Sequence, residues 1–84
     1  MQVSRDGYWI SQVNSSTIGI NSSMSLIEPL QLSLYNTLGK KIISETWEKG
    51  SDHLDINTAN LLPGVYMIRL SGDSFNIVLK WVKQ

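Results

Sequence analysis

The clearest pattern of apolar and polar positions lies in residues 61–70, which read Leu-Leu-Pro-Gly-Val-Tyr-Met-Ile-Arg-Leu. After the Pro-Gly pair the residues alternate, with Tyr66, Ile68 and Leu70 on one face. An apolar period of two predicts a β-strand, because successive side chains of a strand point to opposite faces. The Pro-Gly pair blocks a helix and predicts a turn. We therefore expect a strand at residues 65–70.

Shorter runs of the same kind occupy most of the chain. Residues 30–35 alternate strictly, with leucine at every second position. The Asn-Thr-Leu-Gly that follows predicts a tight turn, and residues 40–47 are the expected hairpin partner. Alternation, or aromatic and β-branched content, predicts strands in five further segments: residues 8–13, 17–20, 24–27, 53–56 and 75–83. Residues 57–60 are compatible with a single helical turn or a polar loop.

The spacing of these strands predicts the fold class. About seven to eight short strands, with turn signals roughly every eight to twelve residues, are typical of an antiparallel β-sandwich. We predict an all-β, immunoglobulin-like small antiparallel β-sandwich, with a single domain over residues 1–84. A domain of this size buries only roughly 60–65% of its unfolded surface, so two layers are the natural arrangement. The abrupt start suggests a module excised from a larger secreted enzyme.

Composition excludes several classes of function. Seven Lys and Arg balance seven Asp and Glu, so neither nucleic acid nor an anionic membrane is an expected partner. The chain contains no Cys, which excludes disulfides and thiolate chemistry without indicating a compartment. No apolar run approaches membrane-spanning length. We expect a monomer that is secreted or held at the cell surface of a bacterium.

Three stretches of the chain resemble the C-terminal sorting domain of type IX secretion. They are residues 32–42 (Leu-Ser-Leu-Tyr-Asn-Thr-Leu-Gly-Lys-Lys-Ile), residues 54–56 (Leu-Asp-Ile) and residues 61–70. The resemblance implies an immunoglobulin-like sandwich at the end of a secreted Bacteroidetes protein, recognised by outer-membrane export machinery. It also implies a basic last strand, for which Lys80 and Lys83 are the matching residues. The front of the chain departs from the family, because Tyr-Trp stands in place of its usual Pro-Asn-Pro.

The tryptophans resemble the aromatic platform of another small sandwich, the carbohydrate-binding module of exported polysaccharide-degrading enzymes. An exposed aromatic ring is flat and apolar, so the C–H face of a glucose ring can stack on it. Aromatic residues on neighbouring strands lie ~5 Å apart, and those two strands apart ~10 Å, a scale comparable to successive sugars of a β-linked glucan. The candidate carbohydrate-binding residues are Trp9, Trp47, Trp81 and Tyr35.

The alternation leaves open which faces the tryptophans occupy. Trp9 points outward if Ile10 belongs to the core. Outward and inward positions are equally compatible with the pattern around Trp47, which borders a polar loop. The parity of Trp81 is that of a core residue, so its place in a platform depends on the other two being exposed. A small core also needs large side chains, and a β-bulge would reverse an assignment.

Catalysis is not expected from this sequence. The one histidine, His53, has Asp52 and Asp55 nearby, but adjacent strand residues face opposite sides and no nucleophile motif adjoins them. Glycoside cleavage needs a cleft between two carboxylates, for which a small sandwich has little room. No loop shows the run of ligands that Ca²⁺ requires. We therefore predict no catalytic residue, no metal site and no cofactor.

Taken together, these patterns favour a non-catalytic carbohydrate-binding module. It would bind β-linked glucan, such as cellulose, cello-oligosaccharides or related plant polysaccharides, and would hold a parent catalytic domain in cis near its substrate. The alternative is a sorting domain for type IX secretion, and a third possibility is a purely structural sandwich. Exposure of the tryptophans discriminates among them, because a sugar platform needs at least two exposed, coplanar indole rings.

Overall fold

The structure, a computed structural model, describes residues 3–5, 7–73 and 75–84, the first three by their backbone. Two four-stranded antiparallel sheets form a sandwich: the first has the order β1-β2-β3-β6 and the second β5-β4-β7-β8. The predicted all-β antiparallel sandwich is confirmed, and no described residue lies in a helix. The strands are β1 (Val3–Arg5), β2 (Tyr8–Asn14), β3 (Thr17–Ser22), β4 (Leu30–Tyr35), β5 (Lys41–Trp47), β6 (His53–Asn57), β7 (Gly64–Ser71) and β8 (Asn76–Lys83).

Two details of the strand prediction are wrong. Residues 24–27 form no strand. Leu26 connects this loop to the loop after β5: its N–H donates to the Ser51 carbonyl at 2.9 Å, and its carbonyl accepts from Gly50 N at 2.8 Å. One buried leucine therefore produces the apolar signal of this loop. Conversely, the short strand β1 pairs with β2, although its sequence has no strand pattern. Asn57 is the last residue of β6, and residues 58–60 form a loop with a turn and no helix.

The core lies between the two sheets and contains the apolar face predicted for residues 65–70. In β7, Tyr66, Ile68 and Leu70 are buried, as the alternation requires. Removing such side chains from water is the main favourable contribution to folding. The neighbouring strands complete this layer with Leu30, Leu32, Leu34, Ile77 and Leu79, and the first sheet contributes Ile10, Ile18, Ile20 and Ile56.

The hairpin of β4 and β5 closes through the predicted turn. The side-chain Oδ1 of Asn36 accepts hydrogen bonds from Leu38 N at 2.9 Å and Lys40 N at 3.0 Å. Gly39 has a φ of +82°, a conformation that glycine adopts without steric cost. Together these two residues explain why the chain reverses here.

A β-bulge follows that turn and changes the register of β5. Tyr35 pairs with Lys41, whereas the next residue back, Leu34, pairs with Ile43. Ile42 is therefore an extra residue on β5, opposite no residue of β4. A bulge of this kind shifts every later position of the strand to the other face relative to an unbulged hairpin.

Tyr66 forms a tyrosine corner at the start of β7. Its ring is buried and its hydroxyl donates to the carbonyl of Leu62. The ring also packs against Trp81, with ring centroids 5.5 Å apart. The hydrogen bond satisfies the hydroxyl, so the ring can be buried at low cost.

Candidate functional site

Trp47 is a core residue, and the expectation that it belongs to an exposed platform is wrong. Its side chain is 0% exposed. The residue lies opposite Leu30, whose side chain is also buried. Without the bulge at Ile42, Leu30 would face Thr46 instead, and Trp47 would point outward. One inserted residue therefore decides the face of this tryptophan.

Trp47 contributes to an aromatic cluster at one end of the sandwich. The Tyr8 ring meets the Trp47 ring edge-on, with centroids 6.1 Å apart, and stacks on Phe75 at 5.8 Å. Burial raises the pKa of the Tyr8 hydroxyl, and the negative charge of Glu28 raises it further. Both effects favour the neutral hydroxyl, as packing against the core requires.

Trp81 is also buried, so its proposed place in a platform is wrong as well. Its side chain is 7% exposed and lies directly opposite Tyr66 in the pairing of β7 with β8. The parity of the last strand had indicated a core position. Its inclusion in a platform depended on the exposure of Trp47, which the structure does not show.

The other two candidates lie on opposite sides of the molecule. Trp9 is partly exposed on the outer face of the first sheet, as expected once its neighbour Ile10 is buried. Tyr35 is partly exposed on the outer face of the second sheet, next to buried Leu34. The structure therefore does not bring the four aromatic residues together, and no two indole rings form a platform on either face.

The outer face of the first sheet carries a group of polar side chains that bond to one another. We call Ser11, Asn21, His53 and Asp55 the histidine cluster. The His53 ring contacts Asn21 Oδ1 through Nδ1, at 2.6 Å, and Asp55 Oδ1 through Nε2. Asn21 Nδ2 donates to Ser11 Oγ at 3.1 Å. Both ring nitrogens are thus in contact with oxygen atoms of the cluster itself.

Gly19 makes room for this cluster. A Cβ atom at Gly19 would lie 2.6 Å from Cε1 of His53 and 3.0 Å from Oγ of Ser11. Both distances are shorter than ordinary van der Waals contact, so the imidazole ring can lie across the strand only because the residue beneath it is glycine. The cluster is thus built into the sheet.

The outer face of the second sheet has a different composition. We call Tyr35, Val65, Met67, Arg69, Val78, Lys80 and Val82 the basic–apolar face. Val65 is 37% exposed, Met67 38% and Val82 45%. The register pairs Val65 with Val82 and Met67 with Lys80, so these side chains are direct neighbours. The solvent-facing side of this sheet therefore has an apolar patch on β7 and β8, beside polar side chains on β4 and β5.

Arg69 and Lys80 differ in how they are held, and a third cation on this side of the sheet, Lys41, is exposed opposite Tyr35. The Arg69 guanidinium carbon lies 5.5 Å from the centre of the Tyr35 ring, which is a cation–π contact. A shallow depression adjoins it, lined by Tyr35, Met67, Arg69 and Val78 together with the turn after β4. Lys80 is exposed, and among the described residues neither Arg69 nor Lys80 forms an ion pair with a carboxylate.

Lys83 differs from Lys80, although both belong to the basic last strand. The Lys83 ammonium donates to the carbonyl of Thr58 at 2.6 Å and to that of Leu61 at 2.7 Å. It therefore fastens the end of β8 to the loop between β6 and β7. Of the two lysines that the resemblance singles out, Lys83 is engaged within the chain and Lys80 points to solvent.

The alternation did point to part of this face, because Val65, Met67 and Arg69 occupy the second side of β7. None of these three residues is among the candidate site residues that the sequence predicts. The available signal was that both sides of β7 and β8 are largely apolar, which is unusual for strands with one face in solvent. Only the register between β4, β7 and β8 groups these side chains with Tyr35.

Other kinds of site find no support in the part of the chain that the structure describes. Within it, no three His, Cys, Asp or Glu side chains lie close enough together to hold a metal ion. A membrane-spanning helix is likewise not found among the described residues.

A comparison with solved structures identifies the architecture. The chain is similar to a DUF3244 family protein from Bacteroides vulgatus ATCC 8482 that has an immunoglobulin-like β-sandwich fold. The TM-score is 0.79 at 13% sequence identity, and the match covers 100% of this chain and 95% of the other. At this identity the likeness shows the fold alone, and it confirms the predicted immunoglobulin-like sandwich. No curated protein matches the chain in sequence.

A comparison with protein families corrects the functional interpretation. Residues 13–84 match the family described as secretion system C-terminal sorting domain. The match confirms the resemblance drawn from residues 32–42, 54–56 and 61–70, and it points to secretion and the bacterial cell surface. The interpretation as a β-glucan-binding module is wrong, since nothing in the comparisons supports carbohydrate binding and the tryptophans form no platform. The chain belongs to the secretion system C-terminal sorting domain family.

Proposed function

We propose that the chain is a non-catalytic sorting signal for type IX secretion. The protein that carries it would be recognised by the outer-membrane export machinery through this folded domain and delivered to the outside of the bacterial cell. The single observation that carries the proposal is the family match over residues 13–84.

The structure is compatible with a signal that is read as a folded surface. Its core is continuous between two sheets. The hydrogen bonds from the Tyr66 hydroxyl to the Leu62 carbonyl and from the Lys83 ammonium to the Thr58 carbonyl hold the loop that precedes β7. A rigid surface loses little conformational entropy when a receptor binds it. Export would then depend on the intact sandwich and not on a short linear motif alone.

The test is export of a fused reporter. The chain is attached to the C-terminal end of a reporter that can reach the periplasm, in a bacterium with a type IX system. We expect the reporter at the cell surface or in the medium, and in the periplasm when the system is inactivated. Periplasmic retention in both strains would refute the proposal.

A matched pair of variants tests whether the fold is required. Leu34 and Ile68 face each other across β4 and β7 and are both 0% exposed. Aspartate at both positions would bury charge and unfold the sandwich, so we expect export to be lost. Asn57→Asp adds a charge at an exposed position and should be exported like the unchanged chain.

A further inference from the structure

The basic–apolar face has the features of a protein-binding surface. Val65, Met67 and Val82 are each more than one-third exposed and lie side by side on two paired strands. Contiguous exposed apolar side chains are uncommon on a solvent-facing sheet and mark interaction sites when polar groups border them. Methionine is also well suited to binding surfaces, because its flexible, polarizable side chain adapts to a partner.

The charges of this face indicate the chemistry of the partner. The outward positions of β4, β7 and β8 include Arg69 and Lys80 but no Asp or Glu. The ring of Tyr35 holds the Arg69 guanidinium beside the shallow depression, so this cation is positioned before any partner arrives. Complementarity requires carboxylates on the other side, next to apolar side chains that cover the valines.

We propose that the basic–apolar face is the surface through which the chain docks on its receptor in the secretion machinery. The receptor is a protein that presents carboxylates to Arg69 and Lys80 and apolar side chains to Val65, Met67 and Val82. This inference rests on the proposed sorting function and adds to it the surface that is recognised. Lys83 takes no direct part, because its ammonium is bonded to two carbonyls of its own chain.

Two other occupants fit this face less well. Binding to an anionic lipid surface usually needs a cluster of four to eight basic residues, and this side of the sheet has three, Arg69, Lys80 and Lys41. It also lacks a projecting Trp or Phe that could insert among lipids. In a symmetric pair of chains the same face would meet itself and bring like charges together without a carboxylate between them. A receptor protein is therefore the occupant that the observations favour.

The test uses the reporter fusion with one double variant and one single-substitution control. The first, Arg69→Gln with Lys80→Gln, removes both cations of the face. The second, Lys49→Gln alone, removes an exposed cation in the loop between β5 and β6, away from the face. Since charge pairs across protein interfaces contribute strongly to recognition, we expect export of the first variant to fall about tenfold and that of the second to stay unchanged. Thermal unfolding of each purified chain shows whether the sandwich is intact.

A second pair tests the apolar part of the face. Val82→Ser places a hydroxyl in the centre of the proposed interface, whereas Val13→Ser does so at a half-exposed position in the first sheet. We expect reduced export for Val82→Ser alone. Neither side chain is part of the core, so both variants should fold.

The outcomes separate the docking surface from the sorting function. If the unchanged fusion is exported and the Arg69/Lys80 variant, still folded, is exported equally well, the docking surface is wrong and the sorting function stands. If the unchanged fusion is not exported, both proposals fail. Purified chain is also mixed with phosphatidylglycerol vesicles and examined by size-exclusion chromatography. Vesicle binding that is lost in the Arg69/Lys80 variant, or a dimer that it disrupts, would replace the receptor by a membrane or a second copy.

Discussion

The two outer faces of the sandwich differ in where their polar and charged groups find partners. On the first sheet, the histidine cluster joins four side chains in mutual hydrogen bonds above Gly19. On the second sheet, Arg69 and Lys80 stand among exposed valines and a methionine, and neither pairs with a described carboxylate. The second sheet also has hydrogen-bonded polar side chains, at Gln31, Ser44 and Thr46, but its cations and exposed apolar side chains are available to a partner.

This difference shows why residue type alone is a poor guide to a site. A histidine beside an aspartate suggests chemistry, yet here the pair is a structural element of the sheet. An alternating strand suggests one wet face, yet the outward side of β7 is largely apolar. A binding surface is distinguished by polar groups that the chain leaves without a partner, or by apolar groups that it exposes to water at a cost in free energy.

The largest expected effect concerns Trp47, whose burial, together with that of Trp81, leaves no aromatic platform on either face. Trp47→Ala should lower the free energy of unfolding by about 3–5 kcal/mol, because it leaves a large cavity in the core. Trp9→Ala, at a partly exposed outward position, should cost less than about 1 kcal/mol. Urea denaturation of the two variants measures both. Equal costs would contradict the assignment of Trp47 to the core and reopen the comparison of the faces.

A smaller effect should separate the two lysines of the last strand. Lys83→Met removes the donor that satisfies two carbonyls, and since hydrogen bonds to charged groups contribute about 1.5–3 kcal/mol, stability should fall by that order. Lys80→Met should change stability by no more than about 0.5 kcal/mol, because its side chain is exposed. Denaturation midpoints test this pair. A greater loss for Lys80→Met would mean that the outward face is structural after all.

The smallest effect concerns the self-contained nature of the histidine cluster. Gly19→Ala places a methyl group against the His53 ring and should displace it, at a cost of about 1 kcal/mol in lost hydrogen bonds. Export of a fused reporter should not change. Combining Gly19→Ala with His53→Ala tests the mechanism, because displacement of a ring that is already absent should add little. Additive costs would show that Gly19 matters for another reason.

Local patterns were sufficient for most of the strands. Alternation located β4 and β7, because a period of two is a property of the extended backbone itself. Asn36 and Gly39 marked the turn after β4 through their own chemistry. Residues 32–42 and 61–70 also carried the family resemblance that the comparisons confirm.

Local patterns did not predict the strand β1 or the loop at residues 24–27. β1 exists because it pairs with β2, and pairing is a contact between segments that local sequence does not encode. Leu26 is buried through hydrogen bonds to residues 50 and 51, which are distant in sequence. In both places tertiary contacts overrode the intrinsic preference of the segment.

By itself, then, the sequence determined the fold class, most of the strands and the family to which the chain belongs. The tertiary structure alone decided which tryptophans are buried, which lysine of β8 is free, and which outer face combines cations with apolar side chains. The reason is physical: alternation is local, but inward and outward depend on register. A single bulge at Ile42 turns Trp47 into the core, and only packing brings the ammonium of Lys83 to the carbonyls of Thr58 and Leu61.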